Sequence, residues 1–233
     1  GLFCFVTFHP SAGSPPACGG VRGCCPRAAV PHFYRQRSWS LDMALVLING
    51  PSVEPVTVAE AKAHLKIDHT DEDILIASLV LTSRLHVEAA LDLALIDQAW
   101  RFVLDRWPGG GVVEVPIAPL QSTERVAVRN SDGVAIAVPA SRYLVDLSSK
   151  PPRIVWNAAE RPLPGVPING IEIELIAGFG PDGGSVPAPL KHAILMLTAH
   201  WYEHRDPMEV GAPGARLPDA VSDLIQPFRK IRL

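Results

Sequence analysis

The residues whose types and spacing could do chemistry lie in the last quarter of the sequence. Gly178, Gly180 and Gly183 follow a predicted strand in the order G-x-G-x-x-G, a spacing that can bring backbone N–H groups against a pyrophosphate. A dinucleotide site needs a helix to begin at the last glycine. Here Gly184, Ser185, Val186 and Pro187 delay the helix and no βαβ unit surrounds the motif, so it reads as a strand-to-helix turn. His200 and His204 stand four apart on a predicted helix and could share one metal ion. The pattern H-E-x-x-H is absent and no third ligand stands nearby in sequence. The pair reads instead as helix-surface histidines, packed on Trp201 or on a neighbouring subunit. No G-x-S-x-G elbow occurs. Arg101, Arg106, Arg125, Arg129 and Arg142 are interleaved with acids rather than gathered for phosphate. The expectation is a chain with no catalytic residue, no metal and no cofactor.

Composition narrows the class further. The four cysteines, Cys4, Cys18, Cys24 and Cys25, all precede Met43. The body therefore has nothing to tie with disulfides or zinc and reads as a fold made in a reducing cytosol. No apolar run of about 18 residues is free of charge, so no membrane span is expected. Residues 1–42 carry four arginines and a single acid, Asp42, and are rich in Pro, Gly, Ser and Cys. Removing them leaves 23 acids against 17 bases, a body near −6. Three readings of this segment compete. Leu2–Phe8 is apolar but lacks the preceding basic region of a secretory signal. A flexible basic arm that folds on a partner is the second. The favoured reading is upstream sequence joined by an early start, with Met43 the natural first residue, so residues 1–42 are expected to be non-native or disordered and are set aside.

The elements that would position any site follow from Met43 onward. Thr57 with Glu60 three residues later forms a capping box, opening a short helix, Val58 to Leu65. Asp71, Glu72 and Asp73 favour the positive end of a second helix running to about Leu91. Ile74, Leu81, Leu85 and Leu91, with Leu75 and Leu79 beside them, are expected to form its apolar face. After Asp97 the period changes to two. Strands are expected around Trp100–Leu104, Val112–Val115, Arg125–Arg129, Val134–Val138, Tyr143–Leu147, Arg153–Trp156 and Ile171–Leu175, six or seven in all. Asn130-Ser131-Asp132-Gly133 is a hairpin signal. Helical spacing returns at Leu190, Ile194, Leu197 and Trp201, after Pro187 and Pro189. The class is α+β: a helical body of two main helices plus a short one (57–92 and 188–205), an inserted block of antiparallel strands (97–180), and an extended C-terminal tail. Residues 43–210 form the main domain and 211–233 the tail.

With this layout fixed, a resemblance is usable. The segments PVTVAEAKAHLKIDHTDED (55–73), LDRWP (104–108), APLQS (118–122), YLVDL (143–147), AGFG (177–180) and HWYEHR (200–205) occur in one order across the body. This ordered set resembles the head–tail connector family of tailed phages and gene transfer agents, also called adaptor or head-completion proteins. The resemblance implies a structural part of the virion at the capsid–tail joint, made in the bacterial cytoplasm. It implies a homo-oligomeric ring, usually a dodecamer, placed between the portal protein and the stopper or tail-completion protein. DNA would pass through its channel without sequence-specific binding, and no membrane is implied. Other joint proteins, such as a stopper or tail-completion protein, and a small metal- or ligand-binding enzyme are the alternatives.

The tail is the candidate docking element. Val221, Leu224, Ile225 and Phe228 could make one small apolar face, too small to fold alone, followed by the basic end Arg229, Lys230 and Arg232. The resemblance points to the portal as its partner. The competing reading is a tail that folds back on its own domain and closes the core.

Overall fold

The structure, a computed structural model, describes residues 43–156, 161–204 and 219–229. All belong to one of the two units into which contacts divide the chain, Trp39–Leu233. The chain begins as a strand, β1 (Met43–Asn49), followed by α1 (Val58–Leu65) and α2 (Asp73–Leu91). A run of strands follows: β2 (Gln98–Leu104), β3 (Val112–Glu114), β4 (Leu120–Arg129), β5 (Ala135–Ala137), β6 (Tyr143–Asp146), β7 (Arg153–Trp156) and β8 (Ile171–Ala177). Two helices, α3 (Ala188–Glu203) and α4 (Asp219–Ile225), close the described chain. The class is α+β, with antiparallel sheets and four α-helices among the described residues.

Local sequence explains most of these elements. The Thr57 hydroxyl accepts from the Glu60 N–H at 3.1 Å, and the Glu60 carboxylate accepts from the Thr57 N–H at 2.7 Å. This reciprocal cap satisfies two otherwise orphaned donors and contributes about 1 kcal/mol. Lys66, in the left-handed region at φ 59°, ends α1. The β4–β5 hairpin is closed by Asn130, whose side-chain oxygen accepts from the Asp132 and Val134 N–H groups, while Gly133 takes φ +78°.

The strands form a five-stranded sheet in the order β1-β2-β8-β4-β5 and a three-stranded sheet in the order β3-β7-β6. In β8, Ile171, Ile173, Leu175 and Ala177 are buried while Glu172 and Glu174 alternate with them. Both glutamates meet arginines of neighbouring strands: Arg101 reaches Glu174 at 3.0 Å, and Arg129 Nε reaches Glu172 at 2.9 Å. Phe102, Val126 and Ile173 share one core with Ile154, Trp156 and Trp107, so the two sheets pack on common apolar residues. A second core lies among the helices: Ile76, Val80, Val87 and Leu91 of α2 against Leu190, Ala193, Ile194 and Leu197 of α3.

Two readings need correction. The strand β1 escapes the sequence reading because MALVLIN is a continuous apolar run without alternation. It becomes a strand by pairing antiparallel with β2, Leu45 opposite Phe102. The buried face of α2 is Ile76, Val80, Ser83, Arg84, Val87 and Leu91. Of the face expected from sequence, only Leu91 is buried. Ile74 is 88% exposed, Leu81 41% and Leu85 51%, because the helix is apolar on more than one side and its long-range partners choose the side that turns in. The same helix is long and apolar enough to cross a membrane by length and composition. Its core face and its buried, ion-paired Arg84 are those of a helix packed inside a protein.

Candidate interaction surfaces

The residues flagged for chemistry do not converge. The glycine loop joins the two cores. Gly178 donates to the Pro119 carbonyl at 3.0 Å, Phe179 to the Leu95 carbonyl at 3.2 Å, and the Gly180 carbonyl accepts from Asp97 N–H at 3.0 Å. A Cβ on Gly178 would lie 2.5 Å from the Asp97 nitrogen. The glycine therefore permits close backbone approach rather than cradling a phosphate. Asp182 binds the Ser185 N–H and hydroxyl at 3.0 and 3.1 Å, and α3 begins only at Ala188.

His200 and His204 lie together at the C-terminal end of α3, ring centroids 4.5 Å apart, with a His204 Nδ1 to His200 carbonyl contact of 2.9 Å. Among the described residues no group of three or more His, Cys, Asp or Glu is arranged to hold a metal ion. Trp201 packs edge-on against His86 of α2.

Sequence reasoning missed a buried polar network. Arg84 donates to Glu54 at 2.7 Å and to Glu88 at 2.6 Å, while Glu88 also accepts from the Leu95 N–H at 2.9 Å and from Gln98 at 2.8 Å. Burial pushes the Glu88 carboxyl above its usual range, against the pull of these donors. The network ties α2 to the loop before α1 and to the start of β2, and it spends its polar atoms on one another. Beside it, the Ser83 and Thr198 hydroxyls meet at 3.0 Å between α2 and α3. The signal available in sequence was Arg84 and Glu88 four apart on an otherwise uncharged helix stretch.

The C-terminal candidates divide. Val221 and Ile225 are buried in the helical core, and Leu224 and Phe228 pack half-buried against it. The apolar face offered as a docking element thus lies against the chain's own helical core, as in the fold-back reading of the tail. Arg229 is exposed. Lys230 and Arg232 lie outside the described residues, as do residues 1–42 and 205–218.

Several large apolar side chains are open on the surface. Val46, Leu47 and Ile48 are exposed on β1, the edge strand of the larger sheet, with Val53 after it. Val134, Ile136, Leu144 and Leu163 are exposed around the opposite edge and the smaller sheet. A shallow depression between them is lined by Val128, Ile136, Val138, Pro139, Pro162 and Leu163, with Arg129 and Arg142 also lining it. The outer face of α2 carries Ile74, Leu81 and Leu85. Exposed apolar patches of this kind suit association with other proteins.

No protein-family model and no curated protein sequence matches the chain. Solved structures do. A chain from the virion of a native gene transfer agent particle is similar with a TM-score of 0.70 and 29% identity, covering 81% of this chain and 96% of that one. A chain from the neck of an empty particle, computed with C6 symmetry, gives 0.67 and 29%, covering 82% and 97%. One from the neck of a native particle, computed with C12 symmetry, gives 0.64 and 27%, covering 81% and 97%.

Proposed function

We propose that this chain is a head–tail connector-type protein, a structural component of the neck of a gene transfer agent or related phage-like particle. The observation that carries this is the likeness at 27–29% identity to neck and virion chains, almost whole-length on their side. The ordered motifs between residues 55 and 205 support it independently. In the finer reading, identical copies form a ring that sits between the portal and the stopper or tail-completion protein and extends the DNA channel. The C6 and C12 symmetries of the similar necks support a ring. The role is mechanical rather than catalytic.

The physical features fit such a part. Cross-strand arginine–glutamate pairs leave the larger sheet's charged face balanced rather than basic, and residues after 42 are net acidic. DNA moving past such a surface would be held weakly, which transit requires. Val221 and Ile225 anchor α4 to the body. Arg229, Lys230 and Arg232, with the open sides of the half-buried Leu224 and Phe228, are then left to reach the portal, the basic end meeting an acidic groove. The test is deletion of the chain from a producing strain. The expected result is DNA-filled, portal-bearing capsids without tails, restored by supplying the chain. Normal tailed particles from the deletion strain would overturn the proposal.

A further inference from the structure

Between Asp73 and Leu91, α2 has three charged residues, Asp73, Arg84 and Glu88. Asp73 is paired with Lys62 at 2.7 Å, and Arg84 and Glu88 belong to the buried network. The outer face is therefore uncharged from Ile74 to Leu85. Ile74, Ser78, Leu81 and Leu85 fall at steps of four, three and four, which aligns them in one stripe, with Ala77 and Thr82 exposed beside it. Even the hydroxyls on this face are spent. Ser78 donates to the Leu75 carbonyl at 2.9 Å and Thr82 to the Ser78 carbonyl at 2.7 Å, so neither needs a partner from water. A helix face exposed to solvent ordinarily carries charge. This one has the composition of a face that becomes buried.

We infer that the outer face of α2 is a subunit–subunit contact, occupied by a second copy of this chain. The inference rests on the reading of the chain as a ring component. A ring of identical subunits uses a heterologous joint, in which each copy presents two different patches to its two neighbours. The chain exposes a second run of uncharged apolar side chains elsewhere, at Val46, Leu47, Ile48 and Val53. With no cation on the stripe, neither DNA nor an acidic partner has anything to pair with there. The contact repeats once per subunit, so a modest apolar stripe is multiplied around the ring and closes it.

The experiment places a benzophenone amino acid at Leu81, purifies assembled particles and irradiates them. The expected product is a covalent dimer of this chain, and its cross-linked peptide identifies the receiving patch. An adduct with a different particle protein, a cross-link within one chain, or no adduct would overturn the inference while leaving the neck assignment standing. Absence of the unmodified chain from particles would bring down the neck assignment and this inference with it. A second variant, Leu81→Glu with Leu85→Glu, alters only exposed positions. It should keep the wild-type melting temperature while its copies per particle fall about tenfold or more. Incorporation at the wild-type level would contradict the inference.

Discussion

Ile225 stands eight residues before Leu233, in a seven-residue helix that cannot hold itself together in water. Its side chain is nevertheless only 1% exposed, sharing a core with Leu190, Ile194 and Leu197 of α3. Ile225→Ala removes three carbons from that core. Truncations of this kind cost about 2–5 kcal/mol, the larger values where the surroundings cannot collapse into the space. A short terminal helix can shift inward, so the lower half of the range applies, about 2–3 kcal/mol. In a domain of this size that lowers the melting temperature by about 4–12 °C. The assay is thermal or denaturant unfolding of the purified variant, alongside Phe228→Ala, whose half-buried ring should cost less. A loss at Ile225 below about 0.5 kcal/mol would show that α4 does not belong to the folded core. The division of the tail into an anchor and a reaching end would then fail.

Three other outcomes follow from the geometry. Burial raises the Glu88 pKa, so the folded protein binds its proton more tightly than the unfolded chain. The resulting stability is fully present below the ordinary value of 4.5 and is lost as pH rises through the raised folded value. The stability of wild type relative to Glu88→Gln should therefore fall from acidic to neutral pH in denaturant titrations, and a difference that rises with pH would refute the assignment. Gly178→Ala should destabilise by about 2 kcal/mol or more, through backbone strain and the clash with Asp97, whereas Gly109→Ala, with open space around it, should change little. Purified protein should bind duplex DNA only weakly, with affinity falling steeply as salt is raised. Tight sequence-specific binding at physiological salt would contradict the channel reading.

Where a signal is local, the sequence was readable. The Thr57–Glu60 box, the Asn130 hairpin and the alternation of β8 each act within a few residues, and each appears in the structure as expected. What failed depended on distant partners. Periodicity could not choose between two apolar sides of α2, because the choice is made by α3 and by Glu54, thirty residues upstream of Arg84. The strand β1 has no alternation and is defined only by β2 across more than fifty residues of chain. For Val221 and Ile225 the sequence left docking and fold-back both open, because nothing adjacent in sequence shows the core surface that receives them. The proposed structural role was legible only through the ordered motifs, since a part that works by fitting its neighbours needs no constellation of reactive groups.

The central claim is that copies of this chain build part of the particle neck. A cryo-electron microscopy reconstruction of the capsid–tail joint, made from particles of the producing strain without imposed symmetry, tests it most directly. The expected map holds a ring in which every subunit shows the five-stranded sheet β1-β2-β8-β4-β5 beside the α2–α3 pair, adjoining the portal. A fully traced joint in which no density follows this chain would contradict it.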